Sequence, residues 1–225
     1  MRMLLTSNGV SNDLIRETFA DLLGKPFGEA KIVAIIDAIL PFGGDSSKLL
    51  SHLQGVQDLG WRQFDVLSLF AGPQSLVETR LRDADVIFCY GGSNHWLAHA
   101  WTATGLAPVL AELLESKVYL GWSAGSMIFS RAHDAVVAEF DDEKDEVAMF
   151  GLSSASAAVP LFDWFVLCHL NAPYFPNQTD EWAAAVAARL GSPVYFLDDD
   201  SALLVRDPDA DPEVISTGHW LRLGG

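Results

Sequence analysis

The sequence has few basic residues and no cluster of them. Lysine and arginine number 14 against 30 aspartates and glutamates, which gives a formal net charge of −16. Proteins that bind nucleic acid or anionic membranes carry lysine and arginine in patches that contact phosphate groups. We therefore expect neither partner. An excess of acidic residues more often keeps a protein soluble than selects a ligand, so the charge by itself names no substrate.

Cysteine and long apolar runs are also scarce. The two cysteines, Cys89 and Cys168, each lie inside an apolar run, which predicts buried, reduced thiols and no disulfide framework. Two isolated cysteines also lack the spacing of zinc ligands. No stretch approaches the roughly 18 apolar residues of a membrane span, and residues 1–6 are too poor in apolar residues for a signal peptide. We expect a cytoplasmic protein.

The first half of the sequence alternates short apolar runs with helical patterns. Strands are predicted at residues 3–5, 32–36, 64–69, 86–90 and 118–120. Helices are predicted between them at residues 13–23, 46–59, 74–81 and 96–104. Alternation of this kind favours an α/β fold in which helices cover both faces of a mainly parallel sheet.

The second half is less regular. It predicts strands at 165–170 and 194–197, a helix at 181–190, and a closing antiparallel pair at 202–205 and 214–217. Residues 139–146 hold a dense acidic cluster, which we interpret as a solvated loop or hairpin tip and not as a metal site. No proline- or serine-rich linker divides the sequence, so we predict one domain over residues 1–225.

The most informative motif is Gly-Trp-Ser-Ala-Gly at residues 121–125. Glycines two positions either side of a serine let a strand turn sharply into a helix and expose the serine hydroxyl, as in a nucleophile elbow. The apolar run 118–120 precedes the motif, and residues 126–129 continue without a helix breaker. Ser123 is therefore the candidate nucleophile.

A serine nucleophile needs a base and an acid that orients it. Among six histidines, His169 ends an apolar run, and polar residues at the carboxyl ends of strands form the active sites of open α/β sheets. Asp198, Asp199 and Asp200 likewise follow the strand at 194–197, and any of the three is a candidate acid. A second arrangement, Ser123 with Asp199 and His219, matches the chain order of α/β-hydrolases and predicts an esterase.

The oxyanion-binding amides have two candidate sources. Residues 91–94, Gly-Gly-Ser-Asn, lie between a predicted strand and a predicted helix, where glycines leave backbone amides open to a ligand. The amide of Ala124, directly after the serine, is the usual second donor at an elbow.

Taken in order along the sequence, these segments resemble the peptidase E family of aspartyl dipeptidases and the related cyanophycinases. The matching segments are 4–8, 90–94, 121–125, the strand end at His169 and residues 196–203. Together they cover nearly the whole sequence. The resemblance implies a flavodoxin-like sheet, similar to that of class I glutamine amidotransferases. It also implies a serine peptidase with a Ser-His-Glu triad and no requirement for a metal or organic cofactor.

Carried over by this resemblance, Ser123 is the nucleophile, His169 the base and Asp199 the acid, where the family has glutamate. Asp198 and Asp200 remain alternatives for the acid. The resemblance further implies that Gly92 and Ala124 supply the oxyanion amides. Polar neighbours of the glycine turn and of the histidine are the predicted substrate contacts: Ser93, Asn94 and Asn171.

One departure from the family concerns the substrate. Aspartyl dipeptidases have an arginine downstream of the catalytic histidine that reads the aspartate of the substrate, but residues 177–182 here contain neither arginine nor lysine. We therefore expect a dipeptidase-like enzyme without strict preference for an N-terminal aspartate. Its expected partners are a small peptide substrate and, as one option, a second copy in a homodimer. The alternative that is not an enzyme is a non-catalytic, amidotransferase-like binding protein.

Overall fold

The computed structural model of the chain describes residues 1–135, 141–153 and 156–225. Its strands are β1 Arg2–Thr6, β2 Lys31–Ile35, β3 Gln63–Leu67, β4 Val86–Cys89, β5 Val118–Trp122, β6 Phe165–Cys168, β7 Val194–Leu197, β8 Ser201–Val205, β9 Glu213–Ser216 and β10 Trp220–Leu223. Its α-helices are α1 Asp13–Leu23, α2 Ser47–Gln57, α3 Gln74–Asp83, α4 Asn94–Ala103, α5 Ala107–Leu113, α6 Ala124–Met127, α7 Asp141–Met149 and α8 Asp180–Leu190.

The larger sheet has seven strands in the order β3-β2-β4-β5-β1-β8-β9. Strands β3, β2, β4, β5 and β1 are parallel, while β8 and β9 extend the sheet as an antiparallel edge. The mainly parallel α/β sheet predicted from the sequence is thus confirmed, as is the closing antiparallel pair.

Successive side chains of a strand point to opposite faces of the sheet, and here both faces carry apolar side chains. Helices therefore cover both faces. Met3 and Leu5 pack into a core with apolar residues of α3, α4 and α5, whereas Leu4, between them, packs with α1 and α2. Fully apolar strands such as β4 are what a parallel sheet buried on both faces requires. All four residues of β4 are buried.

A second sheet has three strands in the order β10-β7-β6. Strands β6 and β7 are parallel, and β10 pairs with β7 in the antiparallel direction. Its own core lies beneath α8, where Ala183 and Val186 pack against Phe165 and Phe196. The sequence predicted β6 and β7 as strands but not β10, nor the separation of the three into their own sheet.

The acidic cluster is a correction to the sequence interpretation. We expected a solvated loop or hairpin tip over residues 139–146, but the chain is helical from Asp141 to Met149, in α7. Residues 139 and 140 lie outside the described residues. Glutamate and alanine favour helix intrinsically, and Phe150 anchors the helix end by packing against the rings of Phe42 and Trp96. Within the described ranges, no helix is long and apolar enough to cross a membrane.

Candidate active site

The functional candidates meet at the carboxyl ends of the strands. Ser123 follows β5 and the Gly91-Gly92 turn follows β4, both in the larger sheet. His169 follows β6 and Asp199 follows β7, both in the smaller sheet. Carboxyl ends of parallel strands are where α/β folds place ligands, so the location agrees with a functional site.

The turn at Ser123 is a strained elbow whose glycines are required by packing. Ser123 has φ 51° and ψ −117°, a conformation that costs an L-residue about 1–3 kcal/mol. A Cβ on Gly121 would lie 2.7 Å from Ser126 Oγ, and one on Gly125 would overlap the backbone carbonyl of Cys89. The elbow is secured by Ser123 N, which donates to Thr6 O at 3.0 Å. The sharp strand–helix turn that the motif predicts is therefore present, with Ser123 at its apex.

The Gly91-Gly92 turn lies directly against the serine. A Cβ on Gly91 would come within 3.1 Å of Ser123 Cβ, and Gly92 has φ 134° with the Ala38 carbonyl where a side chain would stand. The next amide, of Ser93, donates to Ala38 O at 2.9 Å. These contacts fix the loop between β4 and α4 beside the hydroxyl of Ser123.

Ser123, His169 and Asp199 form one hydrogen-bonded chain. Ser123 Oγ lies 2.8 Å from His169 Nε2, and His169 Nδ1 lies 2.7 Å from Asp199 Oδ1. An ionised carboxylate can only accept, so Nδ1 carries the proton and Nε2 is left to accept from the serine hydroxyl. This is the order of contacts that lets an imidazole deprotonate a serine.

The structure separates the three consecutive aspartates. Asp198 has other partners than His169: Oδ1 accepts from Ser201 Oγ at 2.5 Å, and Oδ2 accepts from the amide of His219. Asp200 is exposed and does not contact His169. Asp199 alone of the three reaches the histidine, the position that the family resemblance implied.

Tyr174 completes the contacts of Asp199 and was not singled out from the sequence. Its hydroxyl donates to Asp199 Oδ2 and lies 3.0 Å from His169 Nδ1. Burial acts to raise the pKa of Asp199, but hydrogen bonds from His169 and Tyr174 outweigh it and hold that pKa below its usual value. Burial and the adjacent carboxylate raise the pKa of Tyr174, so the phenol stays a donor. A tyrosine five residues after the histidine carries no local signal of this contact.

The backbone of His169 is also held across the two sheets. His169 has φ 69°, and its amide donates at 2.9 Å to the hydroxyl of Ser7, a buried residue that follows β1. Ser7 Oγ in turn donates to Leu197 O at the end of β7. Ser7 thus joins β1, β6 and β7 at the site, a role that could not be read from a lone serine in a turn.

Two of the predicted substrate contacts have other partners in the fold. Ser93 Oγ caps α4 by accepting from Trp96 N at 3.1 Å. Asn171 is exposed and its amide donates to Asp180 Oδ1 at 2.8 Å. Asn94 is buried and lines the cavity beside Ser123. The substrate-binding roles of these three residues stay predictions.

His219, the base of the alternative esterase triad, does not join this group. Its Nε2 lies 3.1 Å from both carboxylate oxygens of Asp180, and the side chain is about half exposed. The contacts of Ser123 and Asp199 go to His169 instead. The geometry therefore favours the first triad and gives the second no support.

A cavity with two lobes opens on Ser123 and His169, which both lobes share with Gly92 and Phe175. The acidic lobe, of about 160 Å³, is also lined by Asn94, Met127, Glu146, Leu167, Cys168, Gln178 and Trp182. The basic lobe, of about 280 Å³, is also lined by Asn8, Ile39, Lys48, His52, Tyr90, Gly91, Trp122 and Tyr174. The hydroxyl of Ser123 thus lies where the two lobes meet, and each lobe is of a size that suits one or two amino-acid residues.

A serine in a strand–helix elbow, bonded to a histidine and an aspartate, is the arrangement of serine hydrolases. The family model of peptidase family S51 matches residues 3–212. The chain belongs to peptidase family S51, and it is accordingly a serine peptidase. The resemblance drawn from the sequence is confirmed.

Two solved structures share the fold. A candidate peptidase E protein from Listeria monocytogenes EGD-e superposes with a TM-score of 0.76 at 21% identity, over 96% of this chain and 98% of that one. A peptidase from an acI-B1 Actinobacterium superposes with a TM-score of 0.64 at 17% identity, over 99% of this chain and 93% of that one. At these identities the likeness concerns the fold, which is similar to that of class I glutamine amidotransferases. No curated protein sequence matches the chain.

Proposed function

We propose that this serine peptidase hydrolyses small peptides through an acyl-enzyme on Ser123, with His169 as base and Asp199 as the acid that orients it. The observation that carries the proposal is the continuous chain of contacts from Ser123 Oγ to His169 and on to Asp199, at 2.8 and 2.7 Å. Family membership supports the reaction class, and the contacts support the roles proposed within it.

The proposed reaction has two proton transfers at His169. Ser123 Oγ attacks the peptide carbonyl while its proton moves to Nε2, and the amides of Gly92 and Ala124 receive the resulting oxyanion. The C–N bond then breaks and Nε2 returns the proton to the leaving amine. Water, deprotonated by the same nitrogen, attacks the ester and releases the acid, which restores Ser123.

Small peptides are the substrates that the cavity suits. The two lobes on either side of Ser123 have volumes of about 160 and 280 Å³ and are bounded by the side chains of several elements. Spaces of this size on either side of the hydroxyl suit one or two residues each, which favours a small peptide. We therefore propose a dipeptidase-like specificity.

Strict preference for an N-terminal aspartate is not part of the proposal. Gln178 and Trp182, from the segment that lacks arginine and lysine, line the acidic lobe together with Glu146. An aspartate side chain placed there would meet a carboxylate and no cation from these residues. Apolar walls from Met127 and Leu167 suit a residue such as leucine instead.

The test is a hydrolysis screen of dipeptides that vary both residues, including Leu-Ala and Asp-Ala, run on wild type and on Ser123→Ala. We expect wild type to cleave a subset that includes Leu-Ala, and Ser123→Ala to lose turnover while its melting temperature stays near that of wild type. Turnover that persists in a pure preparation of the variant contradicts the role of Ser123. Binding of dipeptides without hydrolysis by wild type would favour the non-catalytic alternative.

The homodimer and the cytoplasmic location are further predictions. Sedimentation of the purified protein measures the first, and fractionation of cells that express the protein measures the second.

A further inference from the structure

Lys48 is a cation at the active site with no acidic partner in the described part of the chain. Its ammonium lies 5.3 Å from the centre of the Tyr174 ring, and its side chain lines the basic lobe. Two other lysines pair with carboxylates, Lys25 with Asp85 and Lys31 with Asp83, both at 2.8 Å, and Lys117 donates to the Arg82 carbonyl. A lysine that faces a cavity beside the nucleophile is therefore placed to meet a negative charge from outside the protein.

The two lobes carry charges of opposite sign. Glu146 lines the acidic lobe and Lys48 the basic one, with Ser123 and His169 shared by both. A dipeptide has the same polarity: the residue that supplies the scissile carbonyl ends in an ammonium, and the leaving residue ends in a carboxylate. A leaving residue in the basic lobe brings its carboxylate toward Lys48, so the charge of Lys48 favours this orientation.

We infer that Lys48 binds the C-terminal carboxylate of the leaving residue, which makes the enzyme selective for dipeptides with a free C-terminus. This inference rests on the proposed function, because it assigns the basic lobe to the leaving side of the same reaction. In this orientation the amino-terminal residue occupies the acidic lobe.

The position of Lys48 suits a leaving group of one residue. Tyr174 contacts the ammonium with its ring and contacts His169 and Asp199 with its hydroxyl, so a single aromatic side chain connects Lys48 with the triad. An extended residue spans only about 3.5 Å, which keeps the carboxylate of the leaving residue in this neighbourhood. Because Lys48 is exposed, solvent and salt screen its charge and the gain in affinity is modest.

The experiment compares Leu-Ala with Leu-Ala amide, which lacks only the terminal charge. Wild type, Lys48→Met, Lys48→Arg and Lys25→Met are assayed with both peptides. Lys48→Met keeps most of the stem and removes the charge, Lys48→Arg restores a charge, and Lys25→Met removes an equal charge at the amino ends of the strands, where Lys25 and Asp85 lie.

We expect wild type to prefer the free acid by about fivefold in kcat/KM, a size typical of a partly exposed charge contact. Lys48→Met raises KM for the acid by about that factor with little change in kcat, since the contact exists before and during the reaction. The ratio of kcat/KM for the acid to kcat/KM for the amide falls toward one in Lys48→Met. It stays near the wild-type ratio in Lys48→Arg and Lys25→Met. Equal losses for both peptides in Lys48→Met, or no preference in wild type, overturn the inference.

Binding separates failure of this inference from failure of the proposed function. Calorimetry with the same two peptides is run on Ser123→Ala and on the double variant Ser123→Ala/Lys48→Met. If wild type cleaves neither peptide, the proposed function fails for them, yet a preference for the acid that is lost in the double variant still supports Lys48. Equal binding of acid and amide by Ser123→Ala, or no binding of either, overturns it.

Discussion

The two sheets supply different parts of the candidate active site and hold them by different means. The seven-stranded sheet positions Ser123 and the Gly91-Gly92 turn through backbone packing, in which glycines leave no space for a side chain. In the three-stranded sheet, His169 and Asp199 are held by side chains: the Ser7 hydroxyl accepts from the His169 amide, and the Tyr174 hydroxyl donates to Asp199. Substitutions at Ser123 and its glycine turns should therefore affect folding as well as activity. Substitutions around His169 and Asp199 should mainly affect activity.

The largest expected effect is that of Gly125→Ala. The new Cβ would overlap the Cys89 carbonyl, and neither backbone can retreat without moving β4 or the elbow. We expect a loss of at least about 3 kcal/mol in unfolding free energy, measured by denaturant unfolding, and loss of activity. Gly55→Ala, in α2 with open space at its Cβ, is the control and should stabilise by about 0.5–1 kcal/mol. Unchanged stability of Gly125→Ala would show that packing does not fix the elbow.

Asp199→Asn should give the largest effect on activity at near-native stability. Asparagine can offer its amide N–H to Nδ1, which favours the wrong tautomer of His169, and kcat should fall about 10³- to 10⁴-fold. Asp198→Asn is the matched control, because Asp198 accepts from Asp200, Ser201 and His219 and not from His169. Equal losses in the two variants would remove the distinction between these aspartates.

Ser7→Ala should give an intermediate effect and tests the connection between the two sheets. The variant leaves the amide of His169 and the carbonyl of Leu197 without their shared partner. We expect a loss of about 1–2 kcal/mol in unfolding free energy and about tenfold in kcat, measured by thermal unfolding and steady-state kinetics. Ser11→Ala, on the exposed loop before α1, should change neither. Wild-type kinetics in Ser7→Ala would mean that His169 is positioned without this hydroxyl.

Tyr174→Phe should give the smallest effect, with a distinct dependence on pH. The pKa of Asp199 lies below its unfolded value, so the carboxylate stabilises the fold above the unfolded pKa, and this stabilisation disappears as pH falls through the folded pKa. Without the Tyr174 hydroxyl, Asp199 loses one of the hydrogen bonds that counteract its burial, so the pKa of Asp199 rises. The acid-unfolding midpoint should therefore move to higher pH, with roughly a threefold loss of kcat near neutral pH. An acid-unfolding curve identical to that of wild type would contradict this account of Tyr174.

Much of the larger sheet was predictable because its signals are local. Apolar runs of strand length and the Gly-Trp-Ser-Ala-Gly motif specify β4, β5 and the elbow within a few residues of sequence. The acidic segment was misread because dense charge predicts solvent exposure equally well for a loop and for a helix. The packing of Phe150 on Trp96 and Phe42 anchors one end of α7, and that contact joins distant residues.

The smaller sheet and the polar contacts of its strand ends could not be derived locally. Which of three consecutive aspartates faces His169 depends on the turn that points Asp198 toward Ser201 and His219, and sequence reasoning chose Asp199 only through the family resemblance. Ser7 and Tyr174 reach the site from another strand end and from a loop, so no spacing along the chain reveals them. Lys48 lies on α2, far along the sequence from both Ser123 and His169.

The central claim is that His169 and Asp199 make Ser123 the nucleophile. Its most direct test is to treat wild type and His169→Ala with a fluorophosphonate, which modifies activated serines, and to locate the adduct by peptide mass spectrometry. We predict a single adduct on Ser123 in wild type and little or none in His169→Ala over the same time. An adduct on another serine, or equal modification of Ser123 in both proteins, would contradict the account.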